Sequence, residues 1–327
     1  MSTVEQAIFA WKNKQQMNRQ YIQILLCVVV FIFSFFGIIS PPAALACGFV
    51  VALTVGQPFS AFTNKATKYL LQWSVAGLGF GMNMSGIWTA GSTGFGFTVA
   101  TIAGTLLLGW LLGRALRVES QTSCLISSGT AICGGSAIAA VGAMLQADKK
   151  AMSVALATVF FLNAVALFVF PPVGKMLGMS QEQFGLWAAI AIHDTSSVVG
   201  AAVKYGDIAL QIAAPVKLTR ALWIIPLALG ISFFIRHQSG RITLPWFILF
   251  FVLAAVVRTI FPQGEDGYLL IKKAAKIGLT FTLFLIGTGL SREAIRNVGI
   301  RPMIQGVVLW FIVSLTSLFA VLHLINR

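Results

Sequence analysis

The chain reads as a succession of long apolar runs separated by short polar joints. With roughly 20 apolar residues taken as the length that crosses a bilayer, about eleven runs emerge. They lie near 20–39, 42–58, 66–83, 92–114, 119–146, 151–172, 184–204, 208–236, 244–261, 267–290 and 302–324. No joint between them is long enough to hold a soluble domain. The expected fold is therefore an all-α polytopic membrane protein of about 10–11 transmembrane helices, forming one domain over 1–327. Residues 1–19 are expected as a cytoplasmic N-terminal segment, 20–114 as first-half helices, 119–146 and 184–204 as interrupted helices, and 208–324 as second-half helices.

Two runs carry residues that thin or break a helix. The first is Gly129-Thr130-Ala131-Ile132-Cys133-Gly134-Gly135-Ser136-Ala137-Ile138-Ala139-Ala140. Each glycine costs roughly 1 kcal/mol relative to alanine in a helix interior. Inside a bilayer every backbone group must still find a partner, so such a break is tolerated only where it faces protein or a water-filled cavity. The same residues also make small-xxx-small pairs, Gly135/Ala139 and Ala139/Ala143, which allow close helix packing with no ligand involved.

The second is Ala191-Ile192-His193-Asp194-Thr195-Ser196-Ser197-Val198-Val199-Gly200, with five consecutive polar residues at mid-run. An ionisable residue in a membrane core costs upwards of ~2.5 kcal/mol, so it normally faces a partner, an aqueous cavity or a transport path. His193 and Asp194 are the proton-handling candidates. In the plainer reading Asp194 is the N-cap of a half-helix running to Lys204, with Ser197 at N3, and His193 is a buried hydrogen-bonding imidazole. A third polar group, Lys217-Leu218-Thr219-Arg220, follows Pro215 and puts two cations on one helix face. Arg220 can grip an oxyanion bidentately and Lys217 can act as a mobile point charge; snorkelling from a span end is the alternative. Asn163, alone in an apolar run, reads as interhelical glue.

Composition and charge narrow the picture further. Of 327 residues 57% are hydrophobic and only 10% charged, far outside the range of soluble globular chains. With the N-terminus cytoplasmic, thirteen lysines and arginines fall on cytoplasmic ends and seven on the far side, as the positive-inside rule requires. The net charge of +14 is thus largely topological, and its scatter over short joints argues against nucleic acid as a partner. The first run, Tyr21 to Ile39, is not followed by a small-residue cleavage site and is expected to stay in the mature protein. Cys27, Cys47, Cys124 and Cys133 lie in apolar runs without a CxxC pair, which argues against disulfides or a zinc site. No metal and no cofactor are expected.

A weak internal repeat aligns residues 66–114 with 272–320. It places Gly81-Met82-Asn83-Met84-Ser85 against Gly287-Thr288-Gly289-Leu290-Ser291. The offset corresponds to an odd number of spans, which inverts the second copy. A different offset, pairing the Gly134-Gly135 run with the one holding Gly287-Thr288-Gly289, is also open.

The two broken segments, followed by Lys217-Leu218-Thr219-Arg220, resemble the YeiH-type family of bacterial inner-membrane proteins, whose usual label is sulfate exporter. The likeness covers nearly the whole chain. It implies membership of the bile-acid, arsenite and riboflavin transporter superfamily, in which inverted repeats and crossed, interrupted helices recur. About eleven spans, however, exceed the ten of a plain five-plus-five arrangement.

Together these features predict a secondary transporter of a small anion: sulfate, sulfite, or a small organic sulfonate or carboxylate. The expected substrate-binding residues are Thr130, Gly134, Gly135, Ser136, Thr195, Ser196, Ser197, Lys217 and Arg220. His193 and Asp194 are expected to couple a proton or a sodium ion. The bilayer is the other expected partner, and a homodimer is left open. The expected location is the bacterial inner membrane. No GxxxxGK[ST] occurs, so ATP-driven transport by this chain is not expected. A passive anion channel would use the same basic, hydroxyl-lined path. A hydrolase built on Ser136, His193 and Asp194 is disfavoured because neighbouring residues on a helix point about 100° apart; no enzymatic activity is expected.

Overall fold

The computed structural model describes residues 21–22, 24–54, 60–85, 95–227, 230, 246–289 and 298–324. The expected segment 1–19, and the Leu290-Ser291 end of the repeat, lie outside the described residues. The described residues are helical and contain no strand. In chain order the helices are α1 (Ile24–Phe35), α2 (Pro41–Thr54), α3 (Ser60–Leu78), α4 (Phe95–Ala115), α5 (Ser120–Ala131), α6 (Gly135–Leu145) and α7 (Lys149–Met176). They continue as α8 (Gln181–Ala191), α9 (Thr195–Tyr205), α10 (Asp207–Leu222), α11 (Trp246–Ile260), α12 (Glu265–Gly289) and α13 (Ile300–Leu324).

Among the described residues, four segments are singly long and apolar enough to cross a membrane: Thr98–Ala115, Lys149–Met176, Asp207–Leu227 and Ile300–His323. The α11 and α12 stretches meet that requirement together and bend by 107° at the joint between them. The runs expected at 119–146 and 184–204 are each built as two half-helices in series, α5 with α6 and α8 with α9. Each half has only 11 or 12 residues, or roughly 17 Å at 1.5 Å per residue, so a pair matches the ~30 Å apolar layer. Large apolar side chains remain exposed on the outer faces of the long helices, among them Leu107, Trp110, Phe311 and Phe319. That is the surface expected where lipid, not water, is the solvent.

Local chemistry fixes the element ends. Ser180 and Gln183 form a capping box at the start of α8. The next residue, Gln181, turns its Oε1 toward the first turn of α10 and accepts from the Ile208 and Ala209 amides at 3.0 and 3.4 Å. Asp148 caps α7 by accepting from the Ala151 amide at 2.6 Å. Pro41 and Pro42 occupy the first turn of α2, where a missing N–H costs nothing. Pro215 does not end α10, which runs through it to Leu222.

The helices pack as two groups. In one, α12 lies along α2 and α3, and α11 along α3; in the other, α5 lies against α4, α6, α7 and α13, and α8 against α10 and α13. Gly48 and Gly287 let α2 and α12 touch backbone to backbone: a Cβ on Gly287 would run into the Leu45 carbonyl and the Gly48 Cα. The helix is continuous through Gly287, whereas the chain breaks at Gly134, so Gly287 serves close packing and not an interruption. Among the described helices α9 makes most of the contact between the groups, touching α2 and α12 on one side and α7, α8 and α10 on the other, with a smaller contact between α2 and α7. At its centre, Gly200 faces Leu283, Leu167 and Pro41 from three different helices.

Candidate functional site

The two breaks meet. Gly134, between α5 and α6, has φ +65° and ψ −125°, a backbone region that favours glycine because it has no Cβ. A Cβ placed there would lie 3.3 Å from the Asp194 Cβ and 3.4 Å from its Cα, so the second break sits directly against the first. The upstream half of each broken helix ends in carbonyls that its own helix cannot satisfy. Two cations from one face of α10 take them. Arg220 donates from Nη2 to the Ala131 carbonyl at 2.5 Å and from Nη1 to the Thr101 hydroxyl of α4 at 2.9 Å. Lys217 donates to the Ile192 carbonyl at 2.7 Å and the Ala189 carbonyl at 3.3 Å. Positive charge at a helix C-terminus also opposes the negative end of the helix dipole.

The downstream halves begin differently. Asp194 is the N-cap of α9: its Oδ2 accepts from the Ser197 amide at 3.2 Å and the Ser197 hydroxyl at 3.3 Å, and from the Ser196 hydroxyl. This is the geometry of the plainer sequence reading, and it occupies the hydroxyls of Ser196 and Ser197. Thr195 is buried in the same turn. By contrast α6 starts at Gly135 behind an N-cap glycine that has no side chain to cap it; Cys133 meets the Ala137 amide, and the Gly135 and Ser136 amides have no intrahelical acceptor. Ser136 in that turn is exposed. Gly135 packs on α7, where a Cβ would meet Phe160 Cζ at 3.0 Å.

Several polar groups behind the junction are buried and make no hydrogen bond within the protein. They are both ring nitrogens of His193, the Thr130 hydroxyl, Asn163 Nδ2 and Arg220 Nε. His193, Lys217 and Arg220 are all 0% exposed. The Asn163 Oδ1 accepts from the His193 amide at 3.1 Å, which makes it the interhelical tie expected of it. Among the described residues the ion pairs are Arg258–Glu265, Lys272–Asp207 and Lys276–Asp207; neither buried cation has a carboxylate partner. Ser136, His193 and Asp194 form no triad, since Asp194 is spent on capping α9 and the His193 ring has no partner.

Two contributors escaped sequence reasoning. Thr101 looks like any other hydroxyl in the apolar run of α4. Cys133 is buried in the first break, beside Ser136 and Ala137 and within electrostatic range of Lys217 and Asp194; only its position between two motif glycines sets it apart. Elsewhere, Gln305 of α13 is fully buried and donates to the Gly109 carbonyl at 3.0 Å and the Ser123 hydroxyl at 2.8 Å, pinning α13 to α4 and α5.

The family model described as Conserved hypothetical protein 698 matches residues 24–306. A UPF0324 membrane protein of Bacteroides thetaiotaomicron is 49% identical over 320 residues, covering 94% of this chain and 97% of the relative. A UPF0324 membrane protein of Porphyromonas gingivalis is 50% identical over 289 residues, covering 87% of each. The chain belongs to the UPF0324 membrane protein family. This is the family to which the motif resemblance pointed, and a UPF0324 membrane protein of Bdellovibrio bacteriovorus, 46% identical over 316 residues, extends it to a further bacterium. No solved structure matches the chain. The match over 24–306 spans both helix breaks and the Lys217–Arg220 turn, so the whole junction lies within the UPF0324 core.

The plainest prediction from this geometry concerns Asp194. Asparagine keeps a good N-cap, so Asp194→Asn is expected to melt within a degree or two of wild type. Asp194→Ala removes the cap and leaves the Ser197 amide without it, an expected loss of about 1–2 kcal/mol. Thermal unfolding in detergent checks both, and equal loss in the two variants would mean that charge, not capping, is what Asp194 provides.

Proposed function

We propose that this protein is a secondary transporter of a small anion in the bacterial inner membrane, with its N-terminus cytoplasmic and no enzymatic chemistry of its own. The observation that carries the reading is the pair of fully buried basic side chains, Lys217 and Arg220, with no carboxylate partner among the described residues, at the point where two broken helices meet. Taking a charge out of water costs several kcal/mol even after relaxation, and in membrane proteins such groups mark transport paths. Arg220 offsets the Asp194 carboxylate, and Lys217 when protonated gives the junction a surplus positive charge for an anion to meet. The uncapped N-terminus of α6, carrying Gly135 and Ser136, adds free amides suited to an oxyanion. Sulfate, sulfite and small sulfonates or carboxylates fit such a site.

Two features favour a carrier over a channel. A channel needs a continuous wet path, whereas Lys217 and Arg220 are wholly enclosed. The contact between the two helix groups runs mainly along α9, which carries one of the breaks, so rocking of one group against the other would open the junction to either side. Transport is expected to be coupled to a proton or sodium gradient.

The test is a binding screen of the purified protein against sulfate, sulfite, sulfonates and dicarboxylates by thermal shift. Ligand at a hundred times its Kd should stabilise the protein by about 2.7 kcal/mol. An anion that stabilises it should then enter proteoliposomes with saturable flux and counterflow. Non-saturating flux would point to a channel, and stabilisation by no anion would remove the anion reading.

A further inference from the structure

We propose that Lys217 is the residue that couples proton movement to anion binding, neutral before the anion binds and protonated while it is bound. The inference rests on the anion-transporter reading and deepens it. Lys217 makes two hydrogen bonds, to the Ile192 and Ala189 carbonyls. A neutral amine has two N–H groups and satisfies both; an ammonium has a third donor that must find an acceptor. Among the described residues no third acceptor hydrogen-bonds Lys217. Both N–H groups of the neutral lysine thus have acceptors, whereas the ammonium carries a third N–H with none among the described residues.

The groups around it leave Lys217 as the one suited to change. Arg220, one turn away on α10, stays protonated in proteins, so a charged Lys217 would stand beside a fixed positive charge. From the other elements, Cys133 and Asp194 at the two breaks lie within electrostatic range of it, and His193 lies within range of both Lys217 and Arg220. Oδ2 of Asp194 is committed to the first turn of α9, where it accepts from the Ser196 and Ser197 hydroxyls and the Ser197 amide. A proton on the His193 ring would add a second positive charge near that of Arg220, and neither ring nitrogen has an acceptor among the described residues. Sequence reasoning gave coupling to His193 and Asp194 because they lie mid-run. The hydrogen-bond count moves it to the lysine.

The step balances without a co-reactant. An anion arrives, one proton from water moves onto the Lys217 lone pair, and the third N–H of the resulting ammonium meets the anion. On release the proton leaves with it. By linkage the effect is reciprocal: anion binding takes up protons, and raising the pH weakens the anion.

The experiment uses purified full-length protein in weakly buffered detergent solution with a pH-indicator dye. It is titrated with sodium sulfate, sodium methanesulfonate or disodium succinate, each adjusted to the working pH. Wild type is expected to take up close to one proton per anion bound, with Kd rising up to about tenfold per pH unit. Lys217→Arg carries a fixed charge and should bind with no proton uptake and no pH slope. Lys217→Gln, smaller and easily accommodated, should bind more weakly and also without slope. His193→Gln should keep the uptake. Anion binding by wild type with no proton uptake overturns the inference and leaves the transporter reading standing, as does a slope that survives in Lys217→Gln or vanishes in His193→Gln. Failure of all three anions to bind removes the transporter reading, and the coupling proposal with it.

Discussion

Gly134→Ala is expected to abolish transport while the protein still inserts into the membrane. Two costs fall on one methyl group. The backbone at φ +65°, ψ −125° strains any residue with a Cβ by about 1–3 kcal/mol. The methyl would also press on Asp194 at 3.3 Å, a distance at which one of the two breaks must yield. Because Asp194 caps α9, the displacement would pass into the half-helix that bridges the two helix groups. A melting point lower by several degrees and uptake reduced at least tenfold are therefore expected, read by thermal unfolding and by proteoliposome flux of whichever anion the screen identifies. Gly135→Ala is the control: its φ is ordinary and its Cβ meets the ring edge of Phe160 at 3.0 Å, a side chain that can shift. Its effect should be clearly smaller. Wild-type flux in Gly134→Ala would mean that the meeting of the breaks is packing alone, as the small-xxx-small reading of this segment allows.

The breaks themselves were legible because helix-breaking residues and stacked polar residues are local signals. Gly134-Gly135 and His193-Asp194-Thr195 mark, to within a residue, where α5 gives way to α6 and α8 to α9. The capping role of Asp194 was equally readable, since an N-cap and its N3 partner lie three residues apart. What the sequence could not supply was which groups those breaks would meet. Arg220 and Lys217 stand out as cations in an apolar run, but nothing local says that each would serve the upstream end of a different broken helix. Their partners, Ala131, Ala189 and Ile192, are backbone carbonyls and leave no trace in residue identity. Thr101, 119 residues away from Arg220 along the chain, is one of many hydroxyls in apolar runs. Span lengths were similarly blurred: hydropathy counts apolar residues across a break as readily as along a continuous helix, so two half-helices and one whole helix look alike.

That distinction between gripping an anion and holding a helix end makes Arg220→Lys the most informative substitution. The guanidinium reaches Ala131 and Thr101 at once through two different nitrogens, while Nε has no partner among the described residues. A lysine at this position keeps the charge but has a single nitrogen, which cannot span both acceptors in that geometry. One hydrogen bond from a charged donor to a buried acceptor is therefore lost, worth about 1.5–3 kcal/mol, and the melting point should fall accordingly. If the remaining guanidinium edge also receives the anion, Kd should weaken by at least tenfold in the folded variant, because the planar fork that matches an oxyanion is gone. If Arg220 is purely a plug for the end of α5, stability falls and Kd does not change. Measuring both in the same preparation separates the roles. A variant that melts early yet binds the anion as tightly as wild type would take Arg220 out of the binding site and leave it as the tie that holds α4, α5 and α10 around the junction.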